Sequence, residues 1–427
     1  MLWRLQTCLC SQLSRLSLTF TLLYSSHWWL YTRYFPRSTR LEIRPTKQAP
    51  KQSRRPPSLA LHIKLRIGIF VLIFLGPIYS AMRSSSIALL SGLLPGVLTA
   101  TTYDMVKEYS GATFFDDWNF YGSFDNLTNG DAIFVTSSVA SSSKLAYVDS
   151  ATNRAIIKVD NTSTVAFNDK RNTVRISSKD EVGVGSVWIA DMFHVPFGCS
   201  VWPAFWSQAP NWPTGGEIDT FEHWNMELHN QMTLHTDPGC NQVSPVQTSK
   251  IINSTDCSYL DNSNAGCGVM DPNDSSYGAK FAAAQGGVFI TEFAESGISS
   301  IPTSILSNAS SFSTSDLGTP VANWPTAGCA IDTFFKPQNL IFDITLCGDA
   351  AGASAVFAQT CPGICYDDYV VGNGSVYNNA YFDVASVRVY SVAGSNTIVK
   401  GSSALVFRAS PWVAAAALSG AIMLFFL

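Results

Sequence analysis

Three carboxylates fall within six residues at Glu217-Ile218-Asp219-Thr220-Phe221-Glu222, preceded by Gly215-Gly216 and flanked by Trp212 and Trp224. The surrounding residues are β-branched, aromatic and alternating, the pattern of strands rather than of a helix. Side chains on a strand alternate faces, so Glu217 and Asp219 share a face and Glu222 points the other way. One extra residue, a β-bulge at Thr220-Phe221, would return Glu222 to the face of the other two, and bulges are enriched beside active sites. Three acids on one face repel one another, so packing alone does not select them. The bland alternative is an acidic, solvated edge strand.

The chemistry that needs closely placed carboxylates is cleavage of a glycosidic bond. One carboxylate attacks or activates water, and the other, its pKa raised by its surroundings, protonates the leaving oxygen. Adjacent carboxylates do not ionise independently, which makes Asp219 a natural tuner of the two Glu. The following NQMTLHT (230–236) is expected to fold back as the antiparallel partner, with a turn near Asn225–His229. That register sets His235 roughly opposite Asp219, within hydrogen-bond reach. Glu217 and Glu222 lie about 13 Å apart along the strand at ~3.3 Å per residue, whereas a retaining pair needs ~5–5.5 Å between carboxyl groups. The side chains must therefore lean together over Asp219, which a concave sheet favours. Trp202, Phe205, Trp206 and Trp212 crowd upstream, and sugars stack on aromatic rings. Trp202 and Trp206, four apart, share a side that is either cleft or core. Trp212, in a Pro/Gly loop, is placed toward a cleft, and Trp188, alternating within a strand, toward the core.

The stretch resembles the active-site strand of glycoside hydrolase family 16, in the branch of fungal, laminarinase-like endo-1,3(4)-β-glucanases. The resemblance rests on VWPAFW (201–206), NWP-x-GGEID (211–219), the E-x-D-x-x-E, Asn225 and NQMTLHT, and extends from about Tyr103 to about Ser391. It implies Glu217 as nucleophile, Glu222 as general acid/base and Asp219 as the residue that tunes them. It further implies that Trp202, Trp206, Trp212, Asn225 and His235 contact a β-glucan substrate, and that the fold is a concave jelly roll. His223-Trp224 departs from the family pattern, in which a Gly commonly follows the acid/base, and bears on linkage preference. Transfer to another sugar differs from hydrolysis only in what attacks the intermediate, so a transglycosylase is the neighbouring alternative. A non-catalytic glucan-binding lectin is the other, although it has no need for three acids.

The elements that must position these residues read as all-β. AIFVTSSVA, LAYVD, AIIKVD, NTVRISS, GSVWIADMF, VFITEF, LIFDITL and VASVRVYS recur between Gly, Asn, Asp and Pro clusters. AKFAAA (279–284) is the best helix-like piece. Many strands in about 290 residues argue for a single all-β sandwich over 101–395, which the resemblance implies is a concanavalin A-like β-jelly roll.

Charge divides the chain. Residues 1–100 hold 13 Lys and Arg against one acid, Glu42, while the remainder holds 14 against 30 acids, a contrast hidden in the overall −4. The acidic body gives no support to nucleic-acid binding. Residues 1–81 are a basic, Pro/Ser-rich leader, and Met82–Ala100 has the layout of a secretory signal peptide. A signal anchor at 67–81 is the rival reading. The apolar tail within 396–427, with small residues upstream and nothing basic after it, has the pattern of a GPI-attachment signal, with a retained membrane span as the alternative. An extracellular, surface-anchored monomer that meets the membrane only through that end is the expectation. Cys8 and Cys10 fall in the leader; the body holds Cys199, Cys240, Cys257, Cys267, Cys329, Cys347, Cys361 and Cys365. An even count after a secretory signal reads as four disulfides, with 105 pairings open. The C-x₃-C at 361–365 lacks the second His/Cys pair of a zinc site, so neither metal nor cofactor is expected. Sequons at Asn126, Asn161, Asn253, Asn273, Asn308 and Asn373 agree with a secreted chain.

Overall fold

The structure is a computed structural model that describes residues 101–401, apart from 253 and 302–308. The expected leader (1–81), anchor (67–81), signal peptide (82–100), tail beyond residue 401 and sequons at Asn253 and Asn308 lie outside the described residues.

Alternation of apolar and polar residues over short runs makes strands, and here it makes two nine-stranded antiparallel sheets. The outer sheet is built on Thr102–Ser110, Ser186–His194, Gly287–Ala294 and Tyr381–Val392. In the inner sheet we number five strands: β1 (Arg175–Val182), β2 (Val201–Gln208), β3 (Glu217–Glu222), β4 (Gln231–His235) and β5 (Gln338–Leu346). Their order across the sheet is β4-β3-β2-β5-β1, so β3 has a neighbour on each side. The solvated edge strand considered from sequence is therefore not what the acids occupy.

Aromatic rings fill the space between the sheets. Phe221 of β3 meets Phe289 of the outer sheet with ring centroids 5.2 Å apart, and Phe342 of β5 meets Phe382 at the same 5.2 Å. Ile218 and Phe221 are buried on the reverse side of the acid strand, each contributing roughly 1.5–3 kcal/mol. Their burial holds a strand in the sheet despite three mutually repelling acids on its other side. Trp188 lies in this core with no exposed surface, as its alternation predicts. Val187, Ile189, Ile290 and Tyr390 face the other way, into a second cluster with Tyr103 and Phe312. The outer sheet is thus apolar on both faces, which explains the near-continuous apolar run of GSVWIADMF.

One reading needs correction at the elements. AIFVTSSVA is a strand only over Ala132–Phe134; Ser137–Ser142 is helical, with the Thr136 hydroxyl accepting from the Val139 N–H. A hydroxyl at the N-cap satisfies a helix-terminal donor, and here it overrides the apolar alternation. The expected helix near AKFAAA runs over Gly278–Ala283.

The eight body cysteines pair as Cys199–Cys361, Cys240–Cys329, Cys257–Cys267 and Cys347–Cys365. Cys361 and Cys365 go to different partners, so they do not act together as a zinc fragment. Chain-entropy arguments give a cross-link more stabilising weight when it closes a longer loop, within about 2–5 kcal/mol for a native bridge. Cys199–Cys361 spans 162 residues and Cys257–Cys267 only 10. Double Cys→Ala replacement at 199 and 361 is therefore expected to lower the thermal midpoint further than the same replacement at 257 and 267. Equal or reversed losses in calorimetry would contradict that ordering.

Candidate active site

The acid strand is bulged where its spacing requires. Against β2, Glu222 faces Ala204, Phe221 faces Phe205 and Asp219 faces Trp206, leaving Thr220 with no opposite number. Against β4, Asp219 faces Thr233 and Glu222 faces Gln231, so Thr220 and Phe221 together oppose the single Met232. Two residues against one is the signature of a β-bulge. Thr220 and Phe221 consequently both turn inward: the Thr220 hydroxyl accepts from Trp188 Nε1 at 3.3 Å and is 2.6 Å from the Thr291 hydroxyl. Glu217, Asp219 and Glu222 then share the opposite, open face.

The three acids occupy different environments. Asp219 is 4% exposed, and its Oδ2 has no hydrogen-bond partner among the described residues. Burial, followed by the charges of Glu217 and Glu222, pushes its carboxyl well above the usual range. Glu222 is pushed up to about 7, chiefly by its removal from water; the hydrogen bond from Trp202 opposes that rise. Trp202 Nε1 donates to Glu222 Oε1 at 2.8 Å. Glu217, half-buried, accepts from Trp212 Nε1. A carboxyl that keeps its proton near neutrality beside a second carboxylate is the pairing that acid-assisted bond cleavage uses. Glu217, Asp219 and His235 also place ligand atoms within 4.8 Å of one another.

The other residues singled out from sequence are placed as follows. Trp202 and Trp206 are half-buried on the same open face of β2, each with its indole N–H on a carboxylate. Trp212 is 41% exposed on the loop before β3. That loop enters the strand through Gly216, at φ 77°, where an added Cβ would lie 2.4 Å from the Phe335 ring. His235 is not opposite Asp219: it pairs with Glu217, and Thr233 takes the place opposite Asp219. From there His235 Nε2 reaches Asp219 Oδ2 diagonally at 3.5 Å, while Nδ1 is 3.0 Å from Asn264 Oδ1. Asn225 is not on the open face. It has no exposed surface, its Oδ1 accepts from the Ser200 N–H at 2.8 Å and its Nδ2 donates to the Ala351 carbonyl at 3.0 Å. With its amide so engaged at φ 58°, it braces a loop. Of the pair that departs from the family pattern, His223 is buried and neutral, its pKa lowered to about 4 by burial. Trp224 packs edge-on to Trp202 at 6.0 Å.

Sequence reasoning missed Asp343 and Arg175. Asp343 lies on β5 opposite Ala204, accepts from Trp206 Nε1 at 3.0 Å and pairs with Arg175 at 3.1 Å. Burial raises its pKa, and Arg175 acts against that rise. Arg175 also stacks on Trp206, 4.8 Å from the ring centre. The one available signal was an acid on the polar phase of LIFDITL. Asn230, quoted above only as part of NQMTLHT, bonds the acid strand directly: its Oδ1 accepts from the Glu222 N–H and its Nδ2 donates to the Thr220 carbonyl, both at 3.0 Å.

Comparison with known proteins identifies relatives of this chain. A family model for the XgeA-like catalytic domain of glycoside hydrolase family 16 matches residues 118–390. A probable glycosidase of Schizosaccharomyces pombe is 38% identical over 303 residues, covering 68% of this chain and 70% of the relative. The endo-1,3(4)-β-glucanase xgeA of Emericella nidulans is 31% identical, covering 75% of this chain and 53% of its own length. The chain thus spans about half the length of that relative. Among solved structures, laminarinase 16A of Phanerochaete chrysosporium, with β-glucans in its donor and acceptor sites, is 34% identical with a TM-score of 0.64, covering 68% of this chain and 99% of its own. A family 16 elongating β-1,3-glucosyltransferase is also 34% identical, with a TM-score of 0.62 and coverage of 68% and 100%. These neighbours share the β-jelly roll. The matched span takes in the bulged acid strand and its partners in both sheets, and the chain belongs to glycoside hydrolase family 16.

Proposed function

We propose that this chain is an endo-β-glucanase that hydrolyses internal β-1,3 bonds, and β-1,4 bonds in mixed-linkage glucan, with retention of configuration. The observation that carries the reading is the bulge at Thr220-Phe221, which puts Glu217 and Glu222 on one open face in unlike environments. Glu217 attacks the anomeric carbon as Glu222 gives its proton to the leaving oxygen. Water then enters, Glu222 takes its proton, and the Glu217 ester is released. Asp219 tunes the pair, and Trp202, Trp206, Trp212 and His235 line the subsites. The name of the Emericella nidulans relative and the glucan-bound Phanerochaete chrysosporium enzyme support the substrate class. Residues 101–395 would be the catalytic domain of an extracellular monomer, with the signal at 82–100 and the lipid-attachment tail as its means of secretion and anchoring.

A second reading has one specific observation in its favour, the equal identity to an elongating glucosyltransferase. If sugar rather than water attacks the intermediate, the products lengthen. Size-resolved products from laminarin and barley mixed-linkage glucan separate the two: shorter chains alone support hydrolysis, longer chains support transfer, and no change in either polymer supports a lectin. Glu222→Gln is expected to lower turnover about 10²–10⁴-fold, and Glu217→Gln at least as much, with the fold intact by circular dichroism. Near-normal activity in Glu217→Gln would sink the assignment.

Glu222 must carry a proton in the first step, so kcat/KM is expected to hold in mild acid and fall as pH rises through about 7. The Trp202 hydrogen bond favours the charged form; Trp202→Phe is therefore expected to move this alkaline limb to higher pH. A limb unmoved or moved down would contradict the assignment of Glu222. Asp219→Asn is expected to reduce turnover less than either Glu→Gln change while displacing the pH profile. Loss equal to Glu217→Gln with the profile unchanged would remove its tuning role.

A further inference from the structure

A bulge interrupts the ladder of backbone hydrogen bonds, and buried N–H and C=O groups left without partners are costly. At the bulge in β3 those groups are the Glu222 N–H and the Thr220 carbonyl, on the side where the register with β4 shifts. The carboxamide of Asn230 meets both, accepting from the first and donating to the second at 3.0 Å each. One planar group thus offers an acceptor and a donor where a peptide unit of β4 would otherwise stand. Neither a carboxylate, with acceptors only, nor a hydroxyl, with one oxygen, can replace it in this place.

Asn230 is itself fixed from outside the acid strand. It is 1% exposed; its N–H donates to the Ser276 hydroxyl at 2.9 Å and its carbonyl accepts from the Asp271 N–H at 2.9 Å. The Ser276 hydroxyl in turn donates to the Asn273 carbonyl at 2.7 Å. From the core side the Thr220 hydroxyl is held by Trp188 and Thr291. The bulge is therefore gripped from two directions, and the grip ends on the backbone of Glu222.

We infer that Asn230 is a positioning residue for the proton-transfer step: it stands in for the missing ladder partner and so holds Glu222 on the open face. Closing the bulge would return β3 to strict alternation, and a one-residue shift sends a strand side chain to the other face. This inference rests on the reading of Glu222 as the acid/base. Its consequence is selective. Losing Asn230 impairs what Glu222 does, and leaves attack by Glu217, three residues before the bulge begins, largely in place.

The test compares substrates that do and do not need protonation of the leaving group. Asn230→Ala, Asn230→Asp and Glu222→Ala are assayed on laminarin and on 2,4-dinitrophenyl β-laminaribioside, whose leaving group departs without a proton. Asn230→Ala is expected to lose about 10²-fold or more in kcat on laminarin, with KM changed little. Formation of the glycosyl-enzyme from the activated glycoside is expected to stay within about tenfold of wild type, because its leaving group needs no general acid. Azide should restore turnover in Asn230→Ala as in Glu222→Ala, by attacking the intermediate without a base. Asn230→Asp keeps an acceptor for the Glu222 N–H but adds negative charge beside Glu222, so its alkaline limb is expected at higher pH. If Asn230→Ala does not fold, the pH profile of Asn230→Asp and the same substrate comparison on Asn230→Ser decide. Equal losses on both substrates, or an unmoved limb in Asn230→Asp, would overturn the inference while Glu222→Ala stays selective. A Glu222→Ala enzyme without leaving-group dependence would instead remove Glu222 from its role, and this inference with it.

Discussion

The site depends on one extra residue. Strict alternation along Glu217–Glu222 would send Glu222 into the space between the sheets, where Phe221 now packs against Phe289 and Phe382. The bulge exchanges them: Thr220 and Phe221 go inward together and Glu222 comes out beside Asp219. The apolar half of the strand provides the hold, the buried Thr220 hydroxyl has polar partners in the outer sheet, and the open face receives three acids. No single contact produces this arrangement. A ladder defect, a filled core and a carboxamide across the gap act on the same two residues.

Given one face, chemistry requires that the acids differ. Their differences come from indoles and burial rather than from distance along the chain. Trp202 holds one oxygen of Glu222 and Trp212 one oxygen of Glu217, while Asp219 between them is buried, its Oδ2 3.5 Å from His235 Nε2. A third indole, Trp206, is fixed to Asp343, whose charge is met by Arg175. Each of these three tryptophans fixes a carboxylate. On the proposed function, substrate contact and electrostatics are then built from the same side chains.

Much of this was legible in the sequence. The spacing E-x-D-x-x-E has only one way to bring its acids to a common face, and the alternating strands set the all-β class. What failed were counts across the chain. The expected hairpin put His235 opposite Asp219, but the bulge and the turn shift β4 by two, so Thr233 stands there. Asn225 looked like a polar neighbour of the acids, yet its left-handed φ and full burial make it part of a loop. Spacing could not choose among the disulfide pairings, because Cys199 and Cys361 meet only through the tertiary fold. The Arg175–Asp343 pair, 168 residues apart, is a consequence of β5 lying beside β1, which no local pattern announces.

On the proposed mechanism the bulge brings Glu222 out beside Glu217, and Glu217 attacks the anomeric carbon. A 2-deoxy-2-fluoro laminaribiosyl fluoride, which slows release of the intermediate more than its formation, traps that intermediate for peptide mass mapping of the inactivated protein. One glycosyl adduct per chain is expected, on the peptide and side chain of Glu217, that turns over when an acceptor sugar is added. An adduct on Glu222 or Asp219, or an active enzyme that never forms one, would contradict it.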